Sequence, residues 1–240
     1  MKSVIIADPH DKDPLELVRA LLDEDGVERA VFLGDYDNPK MLEEILKLDM
    51  EKIVIIGNHD YHMALGHGLN GSNSLVMPFE KYVALWNQHP IQKQFVLDAA
   101  KMNPGDKSGL KVVQRVDGGN IVYVHAALVD DSLAEGKIPE LWGRMVDYDT
   151  HFTQRSRLFL NFEEMRRQNF WIMFRGHDHI YGMASLAEGG DSNDVIEFGG
   201  NREHNLRKDT RYIVSVGDFE RGRYALFDDK EMKIELRGGS

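Results

Sequence analysis

The chain has no cysteine among its 240 residues. Disulfides, zinc–thiolate sites and cysteine nucleophiles are excluded together, and any metal must be held by His, Asp, Glu, Asn or backbone oxygen. Positive charge is scarce: 29 Lys and Arg stand against 40 Asp and Glu, a formal net charge of −11. That balance speaks against non-specific binding to long nucleic acids or anionic membranes, which both need a basic footprint. An anionic substrate remains compatible, because bound divalent cations invert the local field. No apolar run reaches the length of a membrane span, and the apolar part of Met1–Asp8 is too short for a signal peptide, so a cytoplasmic protein is expected. Repeats, low-complexity tracts and interdomain linkers are also missing. A hydrophobic share of 42% is ordinary for a globular chain with a core. One domain over residues 1–240 is expected.

What is present is an alternation. Ser3–Ala7 reads as a buried strand and ends in Asp8-Pro9-His10. Asp13 and Pro14 open a helix running to about Asp23, with Gly26 as its stop. Ala30–Leu33 is a second strand, ending in Gly34-Asp35-Tyr36-Asp37. Asn38-Pro39 opens a helix through Leu48. A third strand, Ile53–Ile56, runs into Gly57-Asn58-His59-Asp60. Strand, helix, strand, helix, strand with short connections predicts parallel strands joined by right-handed crossovers, and ligands collect beyond the carboxyl ends of such strands. Residues 61–109 break the pattern. A long His/Gly loop over Tyr61–Ser74 precedes two helices between Pro78 and Ala100, divided at Pro90, and then the turn Asn103–Asp106. This stretch reads as an insertion lying over the site.

Strands resume at 110–116 and 121–124, joined by the tight turn Asp117–Asn120, with His125 after the second. Residues 128–160 read as irregular to helical and 161–169 as helix. Trp171–Phe174 is a strand ending in Arg175-Gly176-His177-Asp178-His179. Strands near 182–187, 194–198, 211–216, 223–228 and 232–236 complete a mostly antiparallel second half.

Asp8, His10, Asp35, Asn58, His125, His177 and His179 are all hard or borderline ligands for a divalent metal. A tetrahedral site needs four ligands; a larger set suits two adjacent ions that share a carboxylate. Asp8-x-His10 and His177-x-His179 have the same spacing. In an extended segment it puts both side chains on one side.

In this order, the motifs Asp8-x-His10, Gly34-Asp35, Gly57-Asn58-His59-Asp60, His125 and Gly176-His177-x-His179 resemble those of the calcineurin-like metallophosphoesterases. The resemblance implies a four-layer α/β/β/α sandwich of two mixed sheets, class α/β. It implies Asp8, His10, Asp35 and His179 on one ion and Asp35, Asn58, His125 and His177 on the other. It further implies His59 as proton donor to the leaving group, Asp60 as its orienting partner, and a hydroxide shared by the ions attacking phosphorus. A ligand set of nitrogen and oxygen admits Mn first, then Fe, Zn, Co or Ni.

The protein Ser/Thr phosphatases of that superfamily usually carry an arginine soon after the Gly-Asp pair and a glutamate after Asn-His. Here Tyr36-Asp37-Asn38-Pro39 and Asp60 stand there. The expected partner is therefore a phosphorylated small molecule or nucleotide, with a phosphodiester or phosphoprotein next and a non-catalytic scaffold last. Arg175, Arg202 or Arg207 could replace the missing arginine. His62 and His67 could touch substrate.

Overall fold

The computed structural model describes residues 1–66, 79–100, 110–111, 113–116, 120–130, 139–145 and 155–238. The turn at 103–106, residues 117–119 of the tight turn, His67 and most of the predicted His/Gly loop lie outside the described residues.

The chain begins β1 (Lys2–Ile6), α1 (Leu15–Glu24), β2 (Arg29–Phe32), α2 (Pro39–Lys47), β3 (Glu51–Ile55) and α3 (Asn58–Leu65). Both expected helix starts are capped from the side. Asp13 accepts the Leu15 N–H at 2.9 Å, and Asn38 accepts the Lys40 N–H at 3.0 Å. The polar turn and loop expected after β3 is instead a helix. Gly57 caps it in extended conformation, Asp60 at the third position accepts the Gly57 N–H at 2.8 Å, and Gly66 ends it in the left-handed region at φ 76°. Helices α4 (Phe79–Asn87) and α5 (Pro90–Ala99) follow, divided at Pro90 as expected.

Next come β4 (Leu110–Lys111), β5 (Val113–Val116), β6 (Ile121–Val124), α6 (Pro139–Trp142), α7 (Arg155–Gln168) and β7 (Ile172–Arg175). The run read as one strand at 110–116 is divided between two sheets: β4 pairs with β3, and β5 pairs with β6. The chain closes with β8 (Tyr181–Ala187), β9 (Ile196–Gly199), β10 (Glu203–Asn205), β11 (Thr210–Val216), β12 (Tyr224–Asp228) and β13 (Lys233–Arg237). Only the short edge strand β10 had no sequence signal.

Two mixed sheets result, in the orders β10-β13-β12-β1-β2-β3-β4 and β5-β6-β7-β11-β8-β9. Strands β1, β2 and β3 are mutually parallel, as are β6, β7 and β11. Alternating side chains sort into three cores. Val4, Ile6, Ala30, Phe32, Val54 and Ile56 pack under α1–α5. Ile5, Val31, Leu33, Ile53 and Ile55 meet Tyr123, Phe174, Tyr212 and Val214 of the other sheet. Val122, Val124, Met173 and Ile213 meet Leu158, Phe162 and Met165 of α7. Because both faces of each sheet are covered, the central strands read as near-continuous apolar runs. The result is α/β/β/α. No helix among the described residues is long and apolar enough to cross a membrane.

The described part of the insertion is built into this core. Trp86 of α4 is fully buried with Val96 and Ala99 of α5, and its indole N–H donates to the Asp37 carbonyl at 2.8 Å. Trp86→Ala is expected to cost about 3–5 kcal/mol in urea unfolding. An unchanged midpoint would show that α4 is only a cover.

Candidate metal centre

The parallel strands of both sheets end at one edge of the sandwich. There β1 delivers Asp8 and His10, β2 delivers Asp35, and β3 delivers Asn58. From the other sheet β6 delivers His125, and β7 delivers His177 and His179. The seven expected residues are brought together.

The spaced pairs meet for a different reason than extended geometry. Asp8, His10, Asp35, Asp37, His177 and His179 have φ between 49° and 69°. This left-handed region costs about 1–3 kcal/mol per ordinary residue, least for Asp, Asn and His, and such strain gathers at functional sites. In each pair both members adopt it, so the backbone curls and the middle residue turns away. Tyr36 is buried with its hydroxyl donating to the Ile55 carbonyl at 2.7 Å, and Asp178 pairs inward with Arg175. Two glycines let the strand ends touch. A Cβ on Gly34 would lie 2.3 Å from the Gly57 nitrogen, and one on Gly57 would lie 2.0 Å from Asp35 Oδ1.

The hydrogen bonds set the imidazole tautomers. His125 Nδ1–H donates to the Leu33 carbonyl at 2.6 Å, which turns Nε2 into the site. Nε2 lies 2.9 Å from Asn58 Oδ1 and 3.5 Å from Asp35 Oδ1. His10 Nδ1–H donates to Asp37 Oδ2 at 3.1 Å, so its Nε2 faces His179 Nε2 at 3.4 Å. His179 Nδ1 in turn lies 3.4 Å from Asp218 Oδ2. Buried Asp8 Oδ1 and His177 Nε2 have no hydrogen-bond partner. Nitrogen and oxygen atoms able to bind a cation thus converge from both sheets. Asp35 belongs to two groups that could hold an ion, one with His10 and His59 and one with His125 and His177. This donor set fits divalent cations, with Asp35 placed to serve both.

Electrostatics divides the histidines. Burial pushes His177 well below the usual imidazole range, with nearby positive charge adding to it, so its ring is neutral. Burial also opposes charge on His59, but Asp35 and Asp37 outweigh it and raise the ring to about 9. His10 goes the same way, burial outweighed by Asp37 first, to about 10. Burial pushes Asp35 up, yet the surrounding imidazoles, His125 first, hold it below the usual carboxylate range. A dication reverses the preference for protonated His10.

Asp60 does not orient His59. Its two oxygens accept the backbone N–H groups of Gly57, Asp35 and Tyr36 at 2.8–3.0 Å, pinning the β2 loop to the start of α3. Burial and Asp35 push its carboxyl up to about 8 against those bonds. The partner of His59 is Asp37, whose Oδ1 accepts Nδ1–H at 3.0 Å while its Oδ2 takes His10. The expected role for Arg175 also fails. It is fully buried, donating to the Ala126 carbonyl, to Ser215 Oγ at 3.2 Å and to Asp178 at 2.7 Å, which leaves nothing for substrate. Exposed Arg202 stands by edge strand β10, three strands from β1, with its carbonyl accepting the Leu236 N–H at 2.9 Å. His62 sits in α3 beyond His59, half-buried.

Two residues escaped sequence reasoning, and both had a signal. Asp37 repeats the i, i+2 spacing of the other pairs. Asp218 follows Val216-Gly217 as Asp35 follows Leu33-Gly34, at the end of a strand parallel to β7.

The sequence model of the family described as "Calcineurin-like phosphoesterase superfamily domain" matches residues 1–189. The chain belongs to this superfamily. Calcineurin-like phosphoesterases generally hydrolyse phosphoric esters and typically bind two divalent metals. No curated protein matches the chain. A metallophosphoesterase from Sphaerobacter thermophilus shares its fold at TM-score 0.65 and 19% identity, covering 100% of this chain and 88% of the other. An archaeal phosphodiesterase aligns at TM-score 0.45 and 12% identity over 99% of both chains. Vps29 from Chaetomium thermophilum aligns at TM-score 0.42 and 9% identity over 95% of this chain and 80% of that one.

Asp60→Ala strands three buried donors at about 1–3 kcal/mol each. Urea unfolding of the metal-free chain is expected to show a loss of that order. Retained stability together with a shifted pH profile of activity would return Asp60 to the role of His59's partner.

Proposed function

We propose that this calcineurin-like phosphoesterase is a dinuclear metal-dependent phosphatase acting on a small or nucleotide-like phosphate ester, with Mn²⁺ the first choice of ion. The observation that carries the reading is the sharing of Asp35. One carboxylate stands between two groups of imidazoles, and a charged histidine is held above it. Asp8, His10, Asp35 and His179 would hold one ion, and Asp35, Asn58, His125 and His177 the other. When bound, the ions supply the positive charge that neutralises phosphoryl oxygens and makes a water acidic enough to attack phosphorus.

The chain's own groups do the rest. Asp37 accepts the hydrogen bond of His59 Nδ1–H, so the other proton of the charged ring sits on Nε2 and faces the site, 3.8 Å from Asp35 Oδ2. At neutral pH the ring is charged, which suits it to donate that proton to the departing oxygen. The N–H of His59 donates to Asp35 Oδ1 at 2.9 Å, so one residue positions both the shared carboxylate and the acid. The small-substrate preference rests on what the chain lacks for gripping a large one. Asn38, near the place of the missing arginine, is committed to capping α2, and Arg175 is sunk in the fold.

Hydrolysis of p-nitrophenyl phosphate with Mn²⁺, lost on chelation, is the expected result. Faster turnover of the bis ester would move the assignment to a phosphodiesterase, and no turnover of either with any of these metals would overturn the enzyme reading. His59→Ala should lower kcat about 10²–10⁴-fold. Its alkaline limb carries the sign: activity falls as pH rises through the pKa of His59, whose ring Asp35 and Asp37 hold above the usual imidazole range in the metal-free chain. In Asp37→Asn the limb should move to lower pH.

A further inference from the structure

The two ion sites are backed differently. His125 is hydrogen-bonded through Nδ1 to a neutral group, the Leu33 carbonyl at 2.6 Å, with the Asp8 carboxylate farther off at 3.7 Å, and His177 Nδ1 lies 2.8 Å from the neutral Asn58 amide oxygen. On the other side both imidazoles are held by carboxylates. Asp37 stands behind His10 at 3.1 Å, and Asp218 stands behind His179 at 3.4 Å. Asp218 is 1% exposed. The N–H of the next residue, Phe219, donates to the Ala7 carbonyl at 2.9 Å, which ties Asp218 to the loop carrying Asp8. Its carboxylate also has Arg221 Nε and an Arg223 terminal nitrogen at 3.4 Å each, so its charge is retained at the protein wall. Residue 218 falls outside the residues 1–189 matched by the family.

We propose that Asp218 is a positioning residue: it fixes His179 with Nε2 toward His10 and makes the ion held by Asp8, His10, Asp35 and His179 the tighter of the two. This rests on the dinuclear reading above. A carboxylate behind a ligating imidazole fixes its tautomer and ring plane and raises its basicity, and loss of such a partner costs about 10–100-fold in metal affinity. A carbonyl behind the ring fixes the tautomer but adds no charge.

Calorimetric titration of the metal-free full chain with Mn²⁺ tests this without any turnover. The wild-type chain is expected to take up two ions in unequal steps. Asp218→Asn should weaken the tighter step about 10–100-fold and leave the weaker one within about twofold. Asp218→Glu, which keeps the buried charge, should recover part of the loss. Two unchanged steps in Asp218→Asn would overturn the proposal. So would equal weakening of both steps with a lowered unfolding temperature of the metal-free chain, since that is how a loop anchor behaves. A wild-type chain that takes up fewer than two ions overturns both this proposal and the dinuclear reading.

Discussion

Around Asp35 the chain collects more nitrogen and oxygen ligand atoms than it has hydrogen-bond partners for. His10 and His179 turn Nε2 toward each other, His125 faces the Asn58 and Asp35 oxygens, and Asp8 and His177 each leave a buried atom without a hydrogen-bond partner. Such an arrangement is unfavourable unless cations fill it. Much of the local structure exists to hold it. The left-handed residues aim ligands in pairs, the paired glycines let β2 and β3 end within touching distance, and burial keeps His177 neutral.

Two carboxylates that follow the neighbouring strands β2 and β3 divide the supporting work. Asp60 is a scaffold: it gathers backbone N–H groups from two loops and holds them in register. Asp37 is an electrostatic pivot: each oxygen holds one imidazole, one belonging to the ion site and one to the proposed acid. Its own carbonyl is fixed by Trp86, and α4 and α5 also pack against α3, the helix that begins with Asn58 and His59, so the helices of the insertion reach the chemistry both through Asp37 and through α3.

The fold was legible where chemistry and pattern coincide. Apolar strands that end in polar clusters, with short helical connections between them, marked β1 to β3 and the edge where the ligands gather. That the seven expected residues would gather at one edge was readable because each sits beyond an apolar run. What was not readable depends on distance through space. Asp60 follows His59 in sequence, yet helical geometry turns its carboxylate back toward Gly57, and Asp37 reaches His59 across a loop. Arg175 looked available beside His177 because the sequence does not show that a strand's last residue points into the protein. The division of 110–116 between sheets was hidden because both halves are apolar enough for either.

Strand β1 lies between β2 and β12, with Ser3 paired to Arg29 on one side and Phe227 on the other. During synthesis one flank is satisfied almost at once. The other waits for more than two hundred further residues, roughly 10–45 s at the usual rate of elongation. For that interval the nascent chain carries an open, apolar sheet edge of the kind that invites mispairing. The end of β1 that carries Asp8 and His10 is thus assembled early, while the flank beside it is closed late. A chain interrupted before β12 would carry Asp8, His10, Asp35 and Asn58 on a sheet that still lacks its neighbour.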